Sequence, residues 1–230
     1  MDLVEAIQKR RSIRAFKPDP VPKEVLEELL QTCRWSPSSS NTQPWELAVL
    51  GGDMAEEIRA NYVKKTEENW DSDSFSMRGA NPDTPQPPLT EPYIGRSKDI
   101  RDRIDRHQFP LGTENINSKR HDYLLKGAAF YGAPHAIIIY MEKSLYPKAL
   151  FDAGLIAQTL CLTALNLGLG TCLMTHLVLW PDYLREVLKL PDTKFIVLGI
   201  ALGFPDFDAR INTFERIREP PEAFVRWYGF

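Results

Sequence analysis

Two apolar runs constrain this chain more than any other feature: AIIIY at 136–140 and FIVLGIALG at 195–203. Both fall far short of the roughly 18 apolar residues of a membrane span. Both are rich in the branched aliphatics that strands favour, and both read as buried strands. Between them, Pro147 opens a long helix through about 166, with Phe151, Leu155, Thr159, Leu162 and Leu165 on one side and Gly168 as its stop. TCLMT (171–175) reads as a further strand, and Pro181 opens a short helix.

The first half is organised in the same way. Residues 2–11 form a helix capped by Asp2, with Leu3, Val4 and Ile7 on one face. A second helix spans about 22–35, with Pro22 in its first turn and a stripe of Val25, Leu26, Leu29, Leu30 and Cys33. WELAVL (45–50) reads as a strand broken by Gly51-Gly52, and Asp53 with Glu56 resembles a capping box for the next helix. Residues 97–107 read as a heavily charged helix. The stretch 71–95, with Pro82, Pro85, Pro87, Pro88 and Pro92, cannot be regular helix or central strand. Helices outnumber strands, which suits a single α+β domain.

Several function classes are disfavoured. A formal net charge of −3 argues against nucleic acid or an anionic membrane as partner. Three cysteines, Cys33, Cys161 and Cys172, without a CxxC pair do not make a disulfide scaffold or thiol zinc site. They suit a reducing compartment, and the first residues contain no apolar run of a signal peptide, so a cytoplasmic location is expected. The histidines at 107, 121, 135 and 176 are scattered, so no metal site is expected. Gly168 and Gly170 follow a helix and lack a third glycine, Leu standing at 173, so a dinucleotide fingerprint is absent.

Two polar clusters remain. Arg10-Arg11-Ser12-Ile13-Arg14 leaves a helix end, and suits either a solvated basic terminus or a phosphate grip. Ser36-Pro37-Ser38-Ser39-Ser40-Asn41-Thr42-Gln43-Pro44 lies between two elements read as buried. It is either an ordinary surface loop or a set of hydroxyls and amides, of which Asn41 can both donate to and accept from a pyrimidine-like edge.

Taken together, RRSIRAF (10–16), WSPSSSNTQPW (35–45), FYGAPHAIIIY (130–140), GLGTC (168–172), VLGIALGFPD (197–206) and Arg218-Glu219-Pro220 resemble the nitroreductase superfamily, nearest to its nitrobenzoate-reductase branch. The resemblance covers nearly the whole chain apart from 71–95. It implies a nitroreductase-like α+β fold over 1–230: a mostly antiparallel sheet flanked by helices, in an intertwined homodimer. Residues 71–125 would be a lid-like excursion and 205–230 a tail embracing the partner. It implies flavin mononucleotide (FMN) as cofactor. Arg10, Arg11, Ser12 and Arg218 would hold the phosphate and ribityl end, Arg14 the N1–C2=O side, and Asn41 and Gln43 the pyrimidine edge. Pro37, Ser38 and Ser39 would come from the other subunit, and Met174, Thr175 and His176 would line the ring, with Thr175 and His176 as catalytic candidates. His176 departs from the small or acidic residue expected there, and suits a packing role as well as a catalytic one.

The implied chemistry is a ping-pong cycle. NAD(P)H and a flat electron-poor aromatic acceptor would take turns on one flavin face, which makes a separate dinucleotide motif unnecessary. Trp70, Phe75, Tyr93, Phe109 and Tyr123 are expected to wall the acceptor site. The aromatic terminus FVRWYGF (224–230) is expected on the partner subunit. Dehalogenation and enone or quinone reduction by the same flavin, and flavin binding without catalysis, stay open as alternatives.

Overall fold

A computed structural model describes residues 1–69, 89–109 and 116–230. Four strands make one sheet in the order β1-β2-β4-β3: β1 Glu46–Leu50, β2 His135–Glu142, β4 Lys194–Gly203 and β3 Gly170–Met174. Every neighbouring pair is antiparallel. Alternation along the two central strands divides the core by face. Ala136, Ile138, Ile196 and Ala201 join one apolar layer with Ile58, Tyr62, Phe130 and Met174. Ile137, Ile139, Ile200 and Leu202 join the other, with Leu29, Cys33, Ile156 and Leu160. With apolar side chains on both faces, β2 and β4 read as continuous runs rather than alternating ones.

The helices that cover the faces are α1 Leu3–Lys9, α2 Lys23–Cys33, α3 Gly52–Glu68, α4 Tyr93–Gln108, α5 Ile116–Ala128, α6 Leu150–Asn166 and α7 Pro181–Leu188. Asp2 caps α1 by accepting from the Glu5 N–H at 2.9 Å. Proline stands at the N-terminal end of α7, as the sequence requires. Gly168, at φ +76, turns the chain out of α6.

Some expectations are corrected. Gly51, not Asp53, occupies the N-cap of α3; Asp53 lies inside the first turn, so no capping box forms. α6 starts at Leu150, after a turn, rather than at Pro147. Thr175 leaves β3 for a 3₁₀ turn over Thr175–Val178. α4 is longer than 97–107, and α5 had no strong apolar period to announce it.

The stripe on α6 is the largest correction. The buried face is Asp152, Ala153, Ile156, Ala157, Leu160, Cys161 and Ala164. The stripe read from the sequence lies on the other side, with Phe151 74 % exposed. α6 is apolar on all sides, and one protomer covers only one of them. The expected apolar face of α1 is likewise open, with Leu3, Val4 and Ile7 all more than half exposed.

Candidate active site

The N-terminal cluster runs off α1 and pairs with the sheet. Ser12 bridges Thr171 in parallel, and the Ile13 N–H donates to the Thr171 carbonyl at 2.9 Å. This edge contact fixes where the side chains of residues 10–14 go. Arg11 donates to the Phe214 carbonyl and lies over the Phe214 ring at 5.9 Å, and burial lowers its pKa. Arg216, which sequence reasoning missed, donates to the Arg10 carbonyl. A cleft of about 300 Å³ opens here, lined by Lys9, Arg10, Arg11 and Arg216 with Cys161, Leu165 and Gly168 to Thr171. Four cations at one mouth make it a place for an anion. Arg218 is exposed and donates to the adjacent Ile217 carbonyl, so within the protomer it stands off the cleft.

Arg14 turns inward. Its backbone N–H donates to Asn212 Oδ1 at 2.7 Å, while Asn212 Nδ2 donates to the carbonyls of Ala15 at 2.8 Å and Asp206 at 2.6 Å. Asn212 is 1 % exposed and was not foreseen. The Arg14 guanidinium donates from Nη1 to the Ser12 carbonyl at 3.5 Å and has Tyr123, Cys172 and Tyr131 as its electrostatic neighbours. Burial opposes its charge, but Cys172, Tyr123 and Tyr131 outweigh burial and raise its pKa. Arg14 Nε is buried and has no hydrogen-bond partner among the described residues. A guanidinium so placed is a cation offered to a ligand, because a buried donor left unpaired costs about 1–3 kcal/mol.

Met174 is buried in the apolar layer beneath this cluster, Thr175 is exposed, and His176 is buried beside Tyr123. The His176 pKa is pushed down to about 4, by burial first and Arg14 second, so the ring is neutral at neutral pH. The unfolded chain protonates this residue near 6.5. Stability tied to His176 is therefore complete above that value and declines as pH falls from about 6.5 to about 4. Guanidinium titrations across this window should show a steeper acid slope for the wild type than for His176→Gln; parallel slopes would contradict the assignment.

The second cluster is a constrained loop. Ser40, Asn41 and Gln43 all have positive φ, at 52, 54 and 46°, conformations that cost L-residues energy and mark functional loops. The Gln43 N–H donates to Ser38 Oγ at 2.9 Å, and Gln43 Nε2 donates to Asn41 at 3.3 Å. The buried Asp152 accepts from the Ser39 N–H at 3.1 Å and pins the loop to the first turn of α6. Pro37, Ser39, Asn41 and Gln43 are exposed. Asp152 was missed because its i,i+4 surroundings are those of an ordinary helix start.

The structure does not bring the two clusters together within one protomer. Asp152 holds the loop at one end of α6, while Leu165 lines the cationic cleft near the other. Thirteen residues of helix separate them by about 20 Å. Of the expected aromatic wall, Tyr123 meets Arg14, Phe109 lies under Lys119 and Lys126, and Tyr93 is exposed. Trp70 and Phe75 lie outside the described residues. Among the described residues, no cluster of His, Cys, Asp or Glu could hold a metal, and no helix is long and apolar enough to cross a membrane.

Comparison with known proteins places this arrangement. The model of the Nitroreductase family matches residues 7–204. The chain is 28% identical to 4-nitrobenzoate reductase of Pseudomonas putida, covering all of this chain and 96% of that protein. It is 30% identical to chloronitrobenzene nitroreductase of Comamonas testosteroni, over 96% of this chain and 94% of the relative. The structure superposes on the FMN-dependent nitroreductase NfnB of Mycobacterium smegmatis, solved with NADPH, with a TM-score of 0.83 at 25% identity, over 99% of this chain and all of that one. The fold is that of these enzymes, and this chain belongs to the nitroreductase family.

Proposed function

We propose that the protein is a homodimeric, FMN-dependent oxidoreductase that uses NAD(P)H to reduce nitroaromatic or similar flat, electron-poor acceptors. The observations that carry this reading are the buried Arg14 guanidinium, whose Nε has no partner among the described residues, and a cleft rimmed by four cations that residues 9–11 and Ile13 line immediately before it in the chain. These groups fit FMN: Arg10, Arg11 and Arg216 suit its phosphate, Ser12 its ribityl hydroxyls, and Arg14 the pyrimidine end of its ring. The cleft of about 300 Å³ lies at the small end of ligand sites. A second wall has to come from elsewhere, and the exposed loop of Pro37, Ser38, Ser39, Asn41 and Gln43 from a partner supplies one of suitable chemistry. Arg218 and the exposed Phe224, Trp227, Tyr228 and Phe230 of the tail lie free to join the same interface.

Bound there, FMN would supply the two-electron redox chemistry. The chain's own residues do the rest. Arg14 offers a fixed positive charge where negative charge would develop, and Asn212 and the Ser12–Thr171 bridge keep it there. Thr175 stands exposed at the end of β3, where an acceptor could meet its hydroxyl. Tyr123, the exposed Tyr93 and the half-buried Phe109 would form a flat apolar wall. The names of the relatives, and NADPH in the NfnB structure, support both the acceptor class and the electron donor.

The purified protein should be yellow and should bleach on anaerobic addition of NADPH or NADH, then recover on addition of 4-nitrobenzoate. A protein that binds no added FMN would overturn the proposal. A yellow protein that never bleaches would favour a flavin-binding role without catalysis, and recovery only with quinones or haloarenes would move the acceptor class. Asp152→Ala should leave the fold intact and weaken FMN binding about tenfold, since a loop position costing roughly 1–2 kcal/mol loses its anchor. Fluorescence titration of the apoprotein checks this; unchanged affinity would remove the loop from the site.

A further inference from the structure

His176 is polar where the packing asks for an apolar side chain. It lies on the 3₁₀ turn after β3, between the buried Met174 and Leu177, and is itself 5 % exposed. Its ring meets Tyr123 edge-on, with centroids 6.0 Å apart. It presses so close to α5 that a Cβ added at Gly127 would come within 3.0 Å of its Cδ2 and Nε2. Glycine inside a helix costs about 1 kcal/mol relative to alanine, so α5 gives up stability to seat the imidazole. Nevertheless, His176 Nε2 is buried with no hydrogen-bond partner among the described residues. A leucine would fill the same slot without the burial cost of an unpaired nitrogen.

Among the described residues, Arg14 approaches the ring from the N-terminal segment and Tyr123 from α5, while Tyr131, on the turn after α5, and Cys172 of β3 are placed around Arg14. Tyr62 of α3 reaches the same turn, its hydroxyl donating to the Leu177 carbonyl at 3.0 Å. Of these, only Arg14 carries charge at neutral pH. Burial and Arg14 together keep the imidazole neutral. The second of these causes can be removed without moving any atom: an anion placed beside Arg14 cancels its repulsion and attracts an imidazolium.

We propose that His176 is a redox-linked proton holder, which takes up one proton from solvent when a reduced, negatively charged flavin lies beside Arg14 and returns it when the acceptor is reduced. The inference rests on the functional reading above and deepens it. The electrons and protons balance. Hydride from the nicotinamide brings two electrons and one proton to the flavin, and His176 takes the second proton. Conversion of a nitro group to a nitroso group and water consumes two electrons and two protons. The hydride supplies both electrons and one proton, and His176 supplies the other. Tyr123 neighbours both Arg14 and His176.

The test uses FMN-loaded protein, reduced electrochemically without oxygen in weak buffer near pH 6 with a pH indicator. The wild type should take up about one more proton per electron pair than His176→Gln, which can hydrogen-bond but not titrate. In parallel, the His176 imidazole resonances, assigned by their loss in His176→Gln, should titrate about three units higher in reduced than in oxidised holoprotein, a thousandfold change in proton affinity. Equal proton counts in the two proteins, or the same titration in both redox states, would overturn the proposal. If His176→Gln fails to fold or to hold FMN, the wild-type carbon-bound imidazole signals decide alone, since only His107, His121, His135 and His176 contribute them. A wild type that binds no FMN at all would instead bring down the functional reading.

Discussion

Arg14→Met should lose FMN by a factor of about ten to a hundred or more in affinity, while keeping its fold. The substitution keeps the aliphatic stem but removes a charge-assisted hydrogen bond, worth about 1.5–3 kcal/mol to a charged or strongly polar partner. The surroundings tolerate it. The Arg14 backbone stays tied to Asn212 Oδ1, and Asn212 stays tied to Ala15 and Asp206, whichever side chain stands at 14. Flavin fluorescence titration measures the loss, and circular dichroism with a thermal melt separates it from unfolding. The same variant should release His176 from its cation, so the imidazole pKa should move up from about 4. FMN affinity within about twofold of the wild type would show that Arg14 does not face the flavin.

In the homodimer proposed above, Phe151→Glu should separate the two chains and leave them colourless. Phe151 is 74 % exposed on the outward stripe of α6, and Leu3, Val4 and Ile7 of α1 and Trp35, at 79 %, are exposed as well. Large apolar side chains left open in this number mark an interface. Interfaces of stable complexes bury roughly 1,200–2,000 Å² in total, and an unpaired carboxylate in such a core costs several kcal/mol. The two losses are linked because the loop of Ser38, Ser39, Asn41 and Gln43 sits about 20 Å along α6 from the cationic cleft. A nucleotide gripped by both clusters needs two chains. Gel filtration and absorbance at the flavin band read both effects at once. A variant that stays dimeric would move the interface elsewhere, and a yellow monomer would show that one chain builds the whole site.

Much of this was legible before any fold was known. The strands at 136–140 and 195–203 declare themselves because a short unbroken run of branched aliphatics is a property of a few adjacent residues. The helices at 2–11, 22–35 and 181 onward follow from caps, prolines and a 3.6-residue period. The two polar clusters stand out because hydroxyls, amides and guanidiniums are concentrated there without any structural period to explain them. Where local rules failed, a neighbour distant in sequence had overruled them. The α6 stripe was assigned to the wrong side because the helix is apolar all round, so its own periodicity contains no information about which side meets the sheet. Gly51 took the cap expected of Asp53 because the Cβ of any other residue at 51 would run into His135 at 2.7 Å.

The site itself was split between the two levels. Which residues could bind a phosphate or a flavin edge was a matter of chemistry already present in RRSIR and SPSSSNTQP. How they are held was decided by contacts across most of the chain. Asn212 fixes Arg14 across 198 positions, Phe214 receives Arg11 across 203, Arg216 reaches Arg10 across 206, and Asp152 pins Ser39 across 113. Such pairings leave no periodic trace, because each is a single hydrogen bond whose partner is set by loop closure and sheet register rather than by nearby residues. The burial of His176 against Gly127 is of the same kind. The sequence determined the ingredients and the strands that carry them; only the packed chain decided which charge is buried, which nitrogen has no partner among the described residues, and that the two polar clusters lie about 20 Å apart along α6 in a single protomer.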